Sequence, residues 1–493
     1  MEKRLDCDIV LSLEEITLRR VVTYLWNVSI FDSGEKLRYI WDIVEGEVKD
    51  KVSKLLLPES LKNRMMNLVR PIGSDILNWQ VYHEDNLIDA REVFDLHILQ
   101  QLRRTCRGAI DYRRTAEELV RLEMFDIKKR FELACSYCLE DTIPLLWREL
   151  SEEDKESFLR ISCWTELMCY WASIVTGEES YLDRILAQHL RSPSSFYYVA
   201  FKLSARYGNK AATEYFFQKL ADEERESSSF FAVVDAAMDA RFLNLCITSL
   251  KCSTENVSDV LCYLLSVMST EEQMQVFKKY PCKLLTCLLD WPFENLLDIA
   301  DLCWSFLLEK DHARLLSNIH ENIRTSDYYL PNSFQKFFLR SPSDFRKLFV
   351  ERECPSCSLF SEFLHAEDTE TIKVIFRNID AADRASLVFS EHICKVLSNF
   401  ILRGRWHIVE VCIREATLSK EDRETLKGAL RYFTSRIARR LPVEWRRQNL
   451  KRCFEILDEI DASSANKRSA GDETLTRVKK LCSEEEKIVL PRN

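Results

Sequence analysis

Two pairs of cysteines have the Cys-x-x-Cys spacing that is typical of zinc ligands and redox dithiols. Cys135 and Cys138 fall on the apolar side of a predicted helix, where a thiol acts as a small hydrophobic group, so we interpret them as core residues. Cys354 and Cys357 stand in a predicted loop, far from the first pair. A structural zinc site needs four converging ligands, so we expect no metal and no cofactor. Further ligands that could complete the second pair follow it in the chain: His365, His392 and Cys394.

The chain lacks the patterns that mark common catalytic and nucleotide-binding sites. Neither Gly-x-x-x-x-Gly-Lys-Ser/Thr nor Gly-x-Gly-x-x-Gly occurs, and the 8 histidines form no hydrolase or metalloprotease spacing. With 9 glycines in 493 residues, the chain is also poor in the residue that phosphate-binding loops require. We interpret His407, beside Trp406, as a helix-surface residue. The sequence therefore predicts a protein that is not an enzyme.

Positive charge is concentrated near the C-terminus. Between positions 431 and 452, eight cationic side chains stand against Glu444 alone, with Tyr432 and Phe433 among them. Such a segment could contact nucleic acid or an acidic protein face, but a solvated helix face is the simpler interpretation. The net charge of −9 does not favour nucleic acid as a partner. The arginines of this candidate basic patch are Arg436, Arg439, Arg440, Arg446 and Arg447.

The tail beyond Ala462 is polar and rich in serine and lysine, which predicts disorder. Its two short basic groups have a spacing similar to that of a bipartite nuclear import signal. The N-terminus is charged and lacks an apolar signal core, and no apolar run reaches about 18 residues, so we expect no membrane span and a cytoplasmic or nuclear location. The basic residues of the candidate import signal are Lys467, Arg468, Lys479 and Lys480.

Helices must position all these residues, because apolar side chains recur with helical spacing along most of the chain. From Ile393 to Ile401 they form one helix face, Gly404 interrupts the pattern, and Ile408 restarts it. At Ser419 the chain turns polar and a capping signal starts another helix. The unit is therefore a helix, a tight turn, a second helix and a capped connector.

Approximate copies of the connector recur. The nonapeptide at 150–158 matches the one at 418–426 nearly position by position, and looser versions begin at positions 220, 268 and 379. These starts suit repeats of about 35 to 45 residues. Ser192 and Ser341 each precede a proline, which indicates a helix start capped by serine rather than a phosphorylation site. The predicted segments are a helical region at 1–124, degenerate repeats at 125–435, basic helices at 436–461 and a disordered tail at 462–493.

Before the repeats, the chain is predicted to be helical without following the repeated unit. A capping box starts a helix at Ser12. A second helix is predicted from Leu37 to Leu57, ended by Pro58, which cannot continue it. Further helices are predicted at 86–102 and 113–123.

The second helices of the units resemble those of ankyrin repeats. The resemblance lies in Gly404-Arg405-Trp406-His407-Ile408-Val409-Glu410-Val411-Cys412-Ile413, in which a small turn residue precedes a helix with paired apolar residues. The Thr-Pro-Leu-His tetrapeptide that opens an ankyrin repeat is absent. The resemblance implies an all-α array of degenerate ankyrin-like helix pairs, and a plain α-solenoid remains equally acceptable. Either array implies a protein-binding scaffold.

The N-terminal segment from Ser12 to Val21 resembles the elongin-binding helix of SOCS-box proteins, and Leu57-Pro58-Glu59-Ser60-Leu61 is similar to the Leu-Pro segment that follows it. The resemblance implies that Leu13 and Ile16 pack against an adaptor and that Pro58 belongs to the docking element. Elongin and cullin subunits would then be partners. Thr17 stands where cysteine is usual, and an amphipathic core helix is the competing interpretation.

The expected function is therefore binding of other proteins. The alternative is a substrate-binding adaptor of a cullin-type ubiquitin ligase, and the third hypothesis is a nuclear protein associated with nucleic acid.

Overall fold

A computed structural model shows an all-α protein, as the apolar spacing predicts. It describes residues 12–33, 37–86, 96–105, 108–123, 125–159, 166–177, 195–225, 227–246, 257–289, 294–325, 331–351, 359–437, 444 and 447–459. Among them no strand occurs, and the pairing of Arg104 with Ile110 is an isolated β-bridge. The chain divides into two compact units, Met1–Ser333 and Phe334–Asn493. This division lies within the predicted repeat region, and the four predicted segments stay predictions.

The first unit begins with three long helices that pack on one another and that we call the N-terminal bundle. Its first two helices bury Val22, Trp26 and Val44 completely. The bundle and the short helices that follow it are α1 (Leu13–Ser33), α2 (Leu37–Ser53), α3 (Glu59–Asn86), α4 (Leu96–Gln100) and α5 (Tyr112–Leu119).

Two predicted helix boundaries in this region were wrong. The second helix ends at Ser53 rather than Leu57, and residues 54–57 form a turn in which the Leu57 N–H donates to the Leu55 carbonyl. Pro58 explains the difference, because a residue before proline avoids the helical conformation and the preceding residues turn with it. Asn86, the predicted start of a helix, is instead the last residue of α3.

Buried polar groups join the helices of the N-terminal bundle to one another and to the residues that follow the bundle. The indole Nε1 of Trp26 donates to the Val69 carbonyl at 2.7 Å, and Gly73 is required beside this ring because a Cβ there would overlap it. Asp75 accepts hydrogen bonds from Arg104 Nη1 at 2.8 Å and from the Ile110 N–H at 3.0 Å. Burial raises the pKa of Asp75 to about 6 despite the opposing charge of Arg104.

His83 forms a second buried polar connection. Its Nδ1 lies 2.8 Å from the Trp79 carbonyl and its Nε2 lies 3.1 Å from the Tyr137 hydroxyl. A carbonyl can only accept, so Nδ1 carries the proton and Nε2 accepts from Tyr137. Burial lowers the pKa of His83 to about 4, and the neutral ring matches this hydrogen bonding.

The rest of the first unit consists of further helices, several of which begin at a side-chain cap. Asp126, Ser195 and Asn209 each accept a hydrogen bond from an N–H of the helix that follows. The helices are α6 (Ile127–Ser136), α7 (Ile143–Glu149), α8 (Glu152–Leu159), α9 (Glu166–Thr176), α10 (Phe196–Arg206), α11 (Lys210–Lys219), α12 (Ser227–Cys246), α13 (Val257–Val267), α14 (Thr270–Lys279), α15 (Pro281–Cys287), α16 (Glu294–Cys303) and α17 (Glu309–Thr325).

The second unit follows the predicted order of helix, tight turn and helix. Gly404 ends a helix in the left-handed conformation with φ of +73°, and Glu367 occupies the corresponding position of the preceding pair with φ of +53°. The helices are α18 (Pro331–Arg340), which spans the division between the units, α19 (Ser343–Glu351), α20 (Leu359–His365), α21 (Thr369–Arg377), α22 (Ala381–Phe389), α23 (Glu391–Arg403), α24 (Trp406–Ala416), α25 (Lys420–Ile437) and α26 (447–459).

All five predicted connectors lead into helical turns, which confirms them as local signals. The Ser419 hydroxyl accepts from the Asp422 N–H at 3.1 Å, and Ser151 does the same with Asp154 at 3.1 Å. Ser269 forms a complete capping box with Glu272. The remaining two connectors lead into a 3₁₀ turn at Asp222–Arg225 and into α22, which Asp380 caps.

One predicted cap was wrong. The Ser341 hydroxyl donates to the Phe338 carbonyl at 2.6 Å, so it satisfies the end of α18 and does not cap α19. The last carbonyls of a helix lack intrahelical donors, and a buried hydroxyl nearby satisfies one of them. Ser192 lies outside the described residues.

Within the described part of the chain, no single helix has the length and apolar character needed to cross a membrane. The bent pair α22 and α23 passes that test only when both helices are taken together, with a bend of 66°. Leu387, Val388 and Leu397 in this pair are completely buried in the protein.

Candidate functional site

The first turn of α1 carries the residues predicted to dock an adaptor. Ser12 caps this turn by accepting a hydrogen bond from the Glu15 N–H at 3.2 Å. Leu13 is 80% exposed, whereas Ile16 is half-buried. The carboxylates of Glu14 and Glu15 both accept hydrogen bonds from the Arg64 guanidinium on α3. These ion pairs join the start of α1 to the second turn of α3.

The turn between α2 and α3 contributes further exposed apolar residues at this end of the bundle. Leu56 is fully exposed, Leu57 is partly exposed and Pro58 is exposed. Pro58 directly precedes α3, and Arg64 in that helix holds the start of α1, so the structure places Pro58 and Leu13 at the same end of the bundle. We call Leu13, Leu56, Leu57 and Pro58 the apolar end.

The same face of α1 carries two further exposed aromatic side chains. Tyr24 and Phe31 are more than half exposed. Phe31 lies about five helical turns beyond Leu13, and Tyr24 about three, so the three side chains share one face of α1. Sequence analysis missed Tyr24 and Phe31, although their helical spacing from Leu13 could have identified them. Exposed Thr17 and Arg20 lie between Leu13 and Tyr24 on this face, so polar residues separate the apolar side chains and they do not form one continuous apolar patch.

An aromatic cleft lies among α7, α9, α10 and α11 in the first unit. Its volume is about 620 Å³. Five aromatic side chains form most of its wall, and Tyr170, Trp171 and Tyr215 among them are almost completely buried. Pro144, Ile174 and Val175 complete the apolar lining. The five aromatic residues are Trp147, Tyr170, Trp171, Tyr197 and Tyr215.

Hydrogen bonds and ring contacts fix the wall of the aromatic cleft. The hydroxyls of Tyr170 and Tyr215 are hydrogen-bonded at 2.8 Å, and the Trp171 ring lies 5.0 Å from the Tyr215 ring. Burial raises the pKa of Tyr215 to about 12, and burial followed by the bond to Tyr215 raises the pKa of Tyr170 further. Both hydroxyls are therefore protonated at neutral pH.

Charged side chains lie at the rim of the cleft. Lys219 Nζ is 3.5 Å from the Glu140 carboxylate and 5.0 Å from the centroid of the Tyr215 ring. Arg148 is exposed and also lines the cleft. No sequence motif marks this site, because its residues come from four helices. The density of aromatic residues between positions 147 and 217 was the available signal.

The candidate basic patch is described only in part. Arg436 is exposed, donates to the Tyr432 hydroxyl at 2.8 Å and lies over the ring of the same tyrosine. Arg447 is exposed and lies 3.4 Å from Glu444. The other members of the patch and the candidate import signal lie outside the described residues: Arg439, Arg440, Arg446, Lys467, Arg468, Lys479 and Lys480.

The cysteines and histidines that were considered as metal ligands have structural surroundings where they are described. Cys135 and Cys138 are buried, and burial raises the pKa of Cys135 well above its ordinary value. Cys394 is buried and contacts the Val388 carbonyl at 3.3 Å. Cys354 and Cys357 lie outside the described residues. In the part of the chain that the structure describes, no group of three or more His, Cys, Asp or Glu side chains could hold a metal ion.

No protein-family model matches the chain, and no curated protein is significantly similar to it in sequence.

Proposed function

We propose that this protein is a non-enzymatic scaffold that binds other proteins through stacked, ankyrin-like helical repeats. The observation that carries the proposal is a set of contacts in the second unit between residues about one repeat apart. Arg405 pairs with Glu367 at 2.9 Å across 38 residues, and Arg377 pairs with Glu415 across the same separation. Arg384 donates to the Thr417 hydroxyl across 33 residues.

Contacts between residues about one repeat length apart are what stacked repeats produce, because each repeat packs on the next one along the chain. The left-handed turn residues Glu367 and Gly404 mark equivalent positions in two such units. Stacking joins the exposed positions of successive units into a continuous surface that suits protein partners. The scaffold would work in the cytoplasm, the nucleus or both.

Deletion of one internal unit tests the repeat arrangement. Removing residues 368–404 joins Glu367 directly to Arg405, so that two equivalent turn positions meet. The apolar faces of the repeats on both sides of the deletion are then exposed. We expect an aggregated protein without a cooperative unfolding transition in the second unit, measured by light scattering and circular dichroism. A soluble deletion variant that unfolds cooperatively would contradict an arrangement of stacked repeats in which one repeat cannot take the place of another.

Affinity purification from cells that express the full chain tests the binding function. We expect a defined set of co-purified proteins at stoichiometric amounts, identified by mass spectrometry. Recovery of the chain alone at physiological salt, with chemical crosslinking before lysis, would contradict a scaffold.

A ubiquitin-ligase adaptor is the second candidate function, and the exposed apolar end of the N-terminal bundle favours it. Leu13 and Pro58 are exposed at the same end of the bundle, as a docking element requires. Leu13→Asp should abolish co-purification of elongin and cullin subunits. Leu308→Asp is the matched control, because Leu308 is 58% exposed in the same unit and lies outside this surface. Co-purification that survives Leu13→Asp, or no elongin with the unmodified chain, would exclude this candidate.

Nucleic-acid binding is the third candidate, and described contacts of the basic residues favour a structural role instead. Arg431 lies 4.6 Å from the Phe454 ring centroid, and Arg452 lies 4.9 Å from that of Trp406. These cations cover aromatic rings of neighbouring helices. A nucleic-acid complex would weaken steeply with added salt, and binding that does not change with salt would exclude it.

A further inference from the structure

We propose that the aromatic cleft receives an apolar side chain with an adjoining carboxylate, presented by a partner polypeptide. The inference rests on the proposed protein-binding function and names one site for it. The cleft, at about 620 Å³, has the size of a ligand pocket, and mostly aromatic and apolar side chains line it. These walls explain the apolar part of the ligand.

The polar groups at the cleft are mainly hydrogen-bond donors. Tyr170 and Tyr215 hold two hydroxyl protons, and their mutual bond uses only one, so one remains to donate. The Trp171 indole Nε1 has no hydrogen-bond partner in the described part of the protein, but this atom is fully buried, so we do not count it among the donors that a ligand meets. Arg148 and Lys219 add charged donors at the rim. A ligand that enters this site therefore needs an acceptor.

The rim also favours an anion by charge. Among the described lining residues, Arg148 and Lys219 are opposed there by Glu140 alone. Lys219 has three N–H donors, so its ammonium can hold Glu140 and a ligand carboxylate together. Both cations are exposed, so each would contribute about 1 kcal/mol or less to the binding free energy.

A cationic ligand is the main competing interpretation, because aromatic walls also attract ammonium groups. The Lys219 ammonium already lies over the Tyr215 ring and against Glu140, which are the two groups that such a ligand would use. A second cation would have to displace Lys219 and would be repelled by Arg148. The geometry therefore favours a carboxylate.

Three probes with one aromatic body and different charges test the proposal on the full chain: 3-phenylpropionate, 3-phenylpropanamide and 3-phenylpropylamine. Binding is measured by saturation-transfer NMR with competition titrations. We expect the acid to bind about fivefold more tightly than the amide, the effect of about 1 kcal/mol from the rim cations. The amine should bind more weakly than the amide.

Substitutions at the rim assign the binding to the cleft. The double variant Arg148→Gln and Lys219→Gln should remove the preference for the acid while it retains binding of the amide. The matched control is Arg121→Gln with Lys155→Gln, because exposed Arg121 and half-buried Lys155 also form ion pairs in the same unit. Tyr197→Ala, at a half-buried wall position, should weaken all three probes.

Each other result would overturn the proposal: no binding of the acid at millimolar concentration, equal affinity for all three probes, tightest binding of the amine, or an acid preference that the rim variant leaves unchanged. Partner recovery distinguishes this failure from failure of the scaffold function. If the rim variant binds no acid and still recovers every partner, the scaffold stands and the cleft is not its docking site.

Discussion

The N-terminal bundle and the helix pairs of the second unit are fixed by different kinds of polar interaction. Asp75 of the bundle forms a buried pair with Arg104 across 29 residues, and His83 of the bundle bonds to Tyr137 across 54 residues. In the second unit, exposed ion pairs such as Arg405 with Glu367 join separate helix pairs, and caps such as Ser419 act within one turn.

Because of this difference, the stability of the two regions should respond differently to single substitutions. A buried polar group is stable only with its partner, so the loss of one residue leaves the other unpaired at high cost. A cap or an exposed ion pair can be replaced by water and contributes little alone. The bundle should therefore be sensitive to single substitutions, and the helix pairs should be tolerant of them.

The largest effect is expected for Arg104→Met. It leaves the Asp75 carboxylate buried without its cation and should destabilise the first unit by about 3 to 5 kcal/mol, measured by urea unfolding. Adding Asp75→Asn should restore most of this loss, because the amide carries no charge to compensate. Comparable unfolding midpoints for the single variant and the unmodified protein would show that the pair does not control the bundle.

The next effect concerns pH, and here the two buried groups of the bundle act in opposite directions. The pKa of His83 falls from 6.5 to about 4 on folding, so its contribution is complete above pH 6.5 and is lost as the pH falls toward 4. The pKa of Asp75 rises from 3.8 to about 6, so its burial penalty is relieved over nearly the same interval as the pH falls. Each contribution amounts to about 3 kcal/mol, and together they nearly cancel.

His83→Phe should therefore make the first unit gain stability between pH 6 and pH 4 relative to the unmodified protein, and Asp75→Asn should make it lose stability. Unfolding free energies measured against pH give the two slopes. If the unfolding free energy changed with pH by the same slope in both variants, neither group would change its pKa on folding as its burial requires.

Two glycines with similar backbone conformations test the comparison at smaller scale. Gly108 and Gly404 have φ of +88° and +73°, and both would strain a substituted alanine by about 1 to 2 kcal/mol. At Gly108 the added Cβ would lie 2.7 Å from Arg19 Cδ, whereas at Gly404 the nearest atom is 3.9 Å away. Gly108→Ala should thus cost about 1 to 3 kcal/mol more than Gly404→Ala in thermal unfolding. Equal losses of stability would mean that the bundle and the helix pairs respond alike to substitution.

These interactions also explain how much the sequence could predict. Helix class, the turn at Gly404 and the caps at Ser151 and Ser419 depend on neighbouring residues, so local spacing was sufficient to find them. The Asp75–Arg104 pair and the aromatic cleft depend on residues brought together by packing, which no local pattern records. The exposed end at Leu13 was found in part, because helical spacing predicts a shared face but not which face the protein covers.

The smallest effect is expected from the two connectors whose sequences match most closely, one in each compact unit. Ser151 and Ser419 cap their helices with the same 3.1 Å hydrogen bond, and each hydroxyl donates to an aspartate three residues on at 2.6 Å. Each serine-to-alanine substitution should cost about 1 kcal/mol. Hydrogen exchange at the first turns of α8 and α25 would measure the two losses separately. Because the geometry is the same, the losses should agree within about 0.5 kcal/mol. A clearly larger loss at Ser151 would mean that the first unit depends on its connectors more than a local cap allows. The greater sensitivity to substitution would then belong to the first unit as a whole and not to its buried polar groups.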